Sequence, residues 1–125
     1  MAFQEPITNK LLRYGKRTFG TPPEYLWARL PDAAVLRRPD NRKWYAVFMT
    51  VERKKLGLPG DGAVEVIDLK ADPALIDSLL PRPGFFPAYH MNKVHWFSAL
   101  LDGTVPYEDL RQLLKYSYAC AGGKS

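Results

Sequence analysis

The stretch Trp44-Tyr45-Ala46-Val47-Phe48-Met49-Thr50-Val51 constrains the fold most, because both of its alternating sets are apolar. Successive side chains of a strand point to opposite faces, so this strand has to be covered on both sides, or nearly so. That places it in the middle of a sheet. Its partner is legible beside it. Ala33 to Arg38 reads as a strand, Pro39-Asp40-Asn41 as a turn, and Lys43 to Val51 as the returning strand. Proline, aspartate and asparagine supply the local geometry of a tight turn.

The rest of the chain supplies what covers this hairpin. A charged, glycine-bearing loop from Glu52 to Gly62 leads to a third strand, Ala63 to Lys70, and a last strand runs from Val94 to Leu101. The spacing predicts a first helix from Glu5 to Thr18, with Ile7, Leu11 and Tyr14 on one face and Lys10, Arg13 and Arg17 on another. Asp72-Pro73 opens a short helix that Pro81 stops. The final helix follows Asp102-Gly103 and presents Leu110, Leu113, Leu114, Ser117 and Tyr118 to the core. Residues 20–32 read as extended or irregular, carrying Tyr25, Leu26, Trp27 and Leu30 inward. The proline-bearing stretch 81–92 reads as a loop. Hairpin-linked strands with few crossovers make this an α+β chain, with a mainly antiparallel sheet and helices packed on one side.

With 125 residues there is room for one domain, spanning 1–125, and 46% hydrophobic content is enough to build its core. No apolar run approaches the roughly 20 residues a membrane span requires. Met1 to Phe19 mixes charges with apolar residues and lacks the apolar block of an export signal, so a cytoplasmic location is expected. Cys120 is the single cysteine, which excludes an internal disulfide and a cysteine-based zinc site.

The net charge of +5 makes the placement of the cations the central question, since basic charge attracts polyanions. Arg37, Arg38, Arg42 and Lys43 bracket one turn, while Arg53, Lys54 and Lys55 open the loop at the other end of the central strand. Nine extended residues span roughly 30 Å, so the two clusters can reach well-separated phosphates. Contacts of this kind give affinity through counterion release and little base reading. Lys93 is a further candidate cation.

A second constellation lies between positions 84 and 96. Tyr89, His90, Asn92, Lys93, His95 and Trp96 combine donors, a cation and aromatic planes, a mixture suited to a small ligand or a protein partner. The same residues also have structural uses: Asn92 can cap a turn, the histidines can satisfy backbone groups, and Trp96 can enter the core. His90 and His95 stand five apart, which puts them on opposite faces of a strand, and no four-ligand metal set emerges with Asp68 or Asp102. The chain has no Gly-x-Ser-x-Gly, no His-Glu-x-x-His and no glycine loop opening a helix. No catalytic residue, metal or cofactor is therefore expected.

One stretch is distinctive as a whole. Pro83-Gly84-Phe85-Phe86-Pro87-Ala88-Tyr89-His90-Met91-Asn92-Lys93-Val94-His95-Trp96, continuing to Leu101-Asp102-Gly103, resembles the signature of the MmcQ/YjbR family. Asp40-Asn41-Arg42-Lys43-Trp44-Tyr45-Ala46, Lys55-Leu56-Gly57-Leu58 and Tyr116-Ser117-Tyr118 extend the resemblance over nearly the whole chain. It implies a fold similar to frataxin-like CyaY, a twisted antiparallel sheet of about five strands backed by helices. It also implies a "double wing" mode of DNA binding, with the hairpin tip and the 53–55 loop as wings, and it carries no catalytic motif.

Overall fold

Pro6 opens and Gly20 closes the first helix, α1 (Pro6–Phe19), in the computed structural model, which describes residues 3–122. Gly20 adopts φ 65°, a left-handed conformation that glycine takes without steric cost, and its N–H donates to the Lys16 carbonyl at 3.1 Å. At the other end Glu5 makes no side-chain cap. The cap comes from far along the chain instead. The Glu65 carboxylate accepts from the Gln4 N–H at 2.6 Å, the Glu5 N–H at 3.3 Å and the Thr8 hydroxyl at 2.7 Å. A buried anion thus meets the positive end of the helix dipole and pairs donors that the first turn leaves free.

Five strands follow: β1 (Ala34–Arg37), β2 (Trp44–Glu52), β3 (Ala63–Lys70), β4 (Phe85–Pro87) and β5 (Trp96–Leu100). They form one sheet in the order β1-β2-β3-β5-β4, every pairing antiparallel. Two further helices, α2 (Pro73–Leu79) and α3 (Tyr107–Cys120), interrupt and close the strand sequence. This is the α+β arrangement expected from the sequence. β2 lies inside the sheet, and Tyr45 through Met49 are buried.

The register of β2 shifts once. Leu36 pairs with Ala46 but Arg37 pairs with Trp44, so Tyr45 is an extra, bulged residue. The bulge puts Tyr45 and Ala46 on the same side of the sheet. There Tyr45 meets the rings of Phe19 and Tyr118 edge-on, at 5.9 and 4.8 Å.

The two sheet faces are covered differently. On one, Leu11, Leu12, Ile76, Leu79, Leu110 and Leu114 from the three helices pack on Leu36, Phe48, Ile67, Leu69 and Phe97. Gly15 permits the close approach of α1: a Cβ there would stand 3.2 Å from the Leu36 side chain. Ser117 ties α3 to two strands, donating to the Tyr45 carbonyl at 2.6 Å and accepting from the Lys70 N–H at 2.8 Å. The other face carries Val35, Val47, Met49, Val51, Val66 and Leu100, and loop segments with one short 3-10 turn cover it, without an α-helix among the described residues.

Three local expectations need correction. The stretch 81–92 contains β4, a three-residue strand at the sheet edge, where Pro87 is tolerated because it faces no further ladder. The last strand begins at Trp96 and not Val94, because Asn92 Oδ1 accepts from the N–H groups of Val94 and His95 and holds them in a turn. In segment 20–32, Tyr25, Leu26 and Leu30 are 50%, 43% and 56% exposed instead of entering the core. Glu24 pairs with Val35 as an isolated bridge, and a turn closes from the Trp27 carbonyl to the Leu30 N–H at 3.1 Å. Only Trp27 is left to pack inward.

Candidate functional site

The fold divides the cations around the β1–β2 turn into two kinds. Arg37 and Arg38 are neighbours in sequence yet serve opposite faces. Arg37 forms a two-pronged ion pair with Glu24 beside the loop-covered face. Arg38 pairs with Asp40 at 2.9 and 2.7 Å, donates to the Tyr118 carbonyl at 2.7 Å and lies 4.1 Å over the Tyr118 ring. Both guanidiniums are held more firmly protonated by their carboxylate partners. Asn41 completes the docking by donating to the Ala121 carbonyl at 2.7 Å. These residues fasten the turn to the end of α3.

Arg42 and Lys43 stay free at the tip: both are exposed, and neither forms an ion pair among the described residues. Arg42 sits at φ 64°, which lets the turn close by its N–H donating to the Arg38 carbonyl at 2.9 Å. A similar division holds beyond β2. Arg53 begins a short 3-10 turn (Arg53–Leu56) and donates to the Pro59 carbonyl at 2.7 Å, while Lys54 and Lys55 are exposed and unpaired among the described residues. Of the cations flanking β2, the free ones are thus two pairs, separated by the length of that strand, about 30 Å.

The 84–96 constellation divides into two groups, Asn92, His95 and Trp96 in one place and Tyr89 with His90 in another. Trp96 is buried under the sheet with Lys70 over its ring at 5.4 Å. Asn92 caps its turn, and exposed His95 borders a shallow hollow that Asn92 and Trp96 also line, together with Asp72 and Cys120. Exposed Lys93 acts electrostatically on Asp68. Tyr89 and His90 stay together, ring centroids 4.1 Å apart, and His90 holds φ 67°. Gly84 has its own reason: at φ 89°, a Cβ there would meet Val105 at 2.6 Å.

Tyr89 and His90 face a groove of about 640 Å³ on the loop-covered face. Its floor is Val47, Met49 and Val51, alternate residues of β2. Trp27, Trp44 and Tyr89 give it aromatic walls, the two tryptophans meeting edge-on at 5.9 Å and 83°. Its lining also holds Arg29, Lys55 and His90 together with the acids Asp32 and Glu52. Trp27 and Arg29 had no part in either sequence constellation. The available signal was the alternation of Val47, Met49 and Val51, which names a face without naming its cover.

Beneath this face lies Asp68, fully buried opposite Val47. It accepts from the Ser98 hydroxyl, which accepts the Tyr89 N–H at 2.9 Å; the second carboxylate oxygen has no protein partner. Burial pushes its pKa up to about 7, against the Ser98 hydrogen bond and the attraction of Lys93. Among the described residues, no three histidine, cysteine, aspartate or glutamate side chains cluster as metal ligands. None of their helices is long and apolar enough to cross a membrane.

The arrangement has known counterparts. A model of the YjbR family matches residues 17–120. The Bacillus subtilis (strain 168) protein YyaQ, described as uncharacterized, is 37% identical over 108 residues, covering 86% of this chain and 92% of its own length. A crystal structure of a Pseudomonas syringae protein superposes with a TM-score of 0.87 at 41% identity, covering 90% of this chain and 97% of that one. A Deinococcus radiodurans protein shares the fold at 23% identity with a TM-score of 0.72, covering 99% of this chain and 84% of that one.

Proposed function

The chain belongs to the YjbR family, and on that footing we propose that it binds DNA through phosphate contacts and catalyses no reaction. The observation that carries this reading is the pair of free cation clusters, Arg42 with Lys43 and Lys54 with Lys55, at the two ends of β2. Arg37, Arg38 and Arg53 position the two wings by pairing within the protein, which leaves the exposed four to meet the polyanion. Their separation of about 30 Å is close to one turn of duplex, so both wings can touch one backbone. Lys93 stands apart from both pairs in this reading, exposed and attracting Asp68 only through space. A cytoplasmic location goes with it, where the exposed Cys120 thiol stays reduced.

Fluorescence anisotropy with a labelled oligonucleotide, titrated at several salt concentrations, tests the proposal. Affinity should fall linearly on a log–log plot, and replacing Arg42, Lys43, Lys54 and Lys55 with alanine should weaken binding and flatten the slope by about 3 to 4. Unchanged affinity and slope in that variant would remove the assignment.

A further inference from the structure

We propose that the groove over β2 takes an unpaired nucleobase, so that the nucleic acid bound most tightly is single-stranded. The inference rests on the phosphate-contact reading above and specifies its ligand class. Position is the first argument. The groove floor is built from Val47, Met49 and Val51, which lie between Lys43 at one end of β2 and Lys54 and Lys55 past the other. The floor lies along the strand that joins the two cation pairs, and Lys55 belongs to both a cation pair and the groove lining.

Chemistry is the second argument. Trp27, Trp44 and Tyr89 offer aromatic surface at a site bordered by cations, the combination that holds single strands by stacking. A duplex keeps its base faces stacked on one another and has none to offer a wall of this kind. The two acids bear on the choice as well. Asp32 and Glu52 would repel a phosphate inside the groove, but each can accept a hydrogen bond from the amino group of a base. This arrangement therefore keeps the backbone at the ends of β2 and turns the bases inward. A volume of about 640 Å³ lies within the usual range for sites that enclose a small molecule, and a nucleoside unit fits it.

A third observation is independent of both. His90, on the rim, is one of two non-glycine residues held at positive φ among the described residues, and its ring rests against Tyr89. The other is Arg42, whose conformation closes the β1–β2 turn. Backbone of this kind is costly outside glycine and gathers at ligand-contacting positions.

The test uses the full chain and three labelled probes of about twelve nucleotides: oligothymidine, oligoadenine and a duplex of the same length. Wild type should prefer a single strand over the duplex, and its tryptophan fluorescence should fall on binding. Trp27→Ala and Tyr89→Ala should each weaken single-strand binding roughly 10-fold while leaving duplex binding unchanged. Trp27→Phe, which retains an aromatic ring, should lose less affinity and keep the far-ultraviolet circular dichroism of wild type. Equal affinity of folded groove variants and wild type for the single strand overturns the groove assignment. So does a wild-type preference for duplex. If the four-cation variant still loses salt-dependent binding, the phosphate reading survives that failure. No binding of any probe by wild type overturns both.

Discussion

β3 carries one buried acid toward each face of the sheet, and the two are treated in opposite ways. Glu65 points to the helices, where two backbone N–H groups and a hydroxyl surround it. Asp68 points to the loop-covered side, where it has one hydroxyl donor and an oxygen with no protein partner. The odd separation of 65 and 68 along a strand makes the opposition unavoidable. Helices pack densely and bring donors at their N-termini, so the first face can pair its acid. Irregular segments cover the second face less completely, leaving a groove and an unsatisfied carboxyl. One face is closed by helices; the other retains an open groove.

The largest expected effect comes from breaking the satisfied side. Glu65→Ala removes the anion from the start of α1 and leaves three donors without their partner, two of them backbone N–H groups. A cost of about 3–5 kcal/mol is expected, since each hydrogen bond to a charged group contributes roughly 1.5–3 and buried donors left unmade add to the loss. Urea unfolding monitored by circular dichroism measures it. Glu65→Gln keeps an acceptor and should lose less. A loss below about 1 kcal/mol for Glu65→Ala would mean that α1 is held by its apolar face alone.

The unsatisfied side should respond with the opposite sign. An aspartate whose pKa rises from about 3.9 unfolded to about 7 folded takes up a proton on folding between those values. The native state then binds more protons than the unfolded one, so stability falls as pH rises from about 4 to about 7, and levels off above. Asp68→Asn removes the charge and should stabilise the protein at pH 8, by on the order of 2 kcal/mol after allowing for the imperfect fit of the amide. At pH 5 the gain should largely vanish. Paired urea melts at the two pH values decide it, and an equal effect at both would show that Asp68 remains ionised throughout.

This difference between faces also governs what the sequence discloses. The β1–β2 hairpin, β3 and α3 were legible because their signals are local: alternation, a Pro-Asp-Asn turn, and helical spacing of Leu110, Leu114 and Ser117. The cap on α1 was not, since Glu65 lies some sixty positions away from the N–H groups it serves. Short β4 was hidden by prolines that only an edge position tolerates, and the Tyr45 bulge depends on the pairing with β1. The free cations were named together with the paired ones, because Glu24 and Asp40 must be placed before either arginine is seen to be occupied. The groove needed Trp27 to fold over from a segment with no regular structure. Contacts between distant segments decide such features, and no local pattern records them.

Arg37 and Arg38 give the smallest and most discriminating comparison, because adjacent cations on one strand end report on opposite faces. Arg38→Ala removes the hydrogen bonds to Asp40 and to the Tyr118 carbonyl together with the stacking on the Tyr118 ring, all on the helix side. It should lower the melting temperature by a few degrees and loosen the turn from the end of α3, visible as faster amide exchange at Ala121 and Gly122. Arg37→Ala breaks an ion pair with Glu24 at the margin of the loop side, where solvent screens the charges and little packing is lost. Its melting temperature should stay within about 1 °C of wild type. Should Arg37→Ala prove the more damaging of the two, the Glu24 bridge would have to be what holds segment 24–33 over the sheet. The loop-covered face would then owe its shape to that ion pair, and the groove would close or open with it.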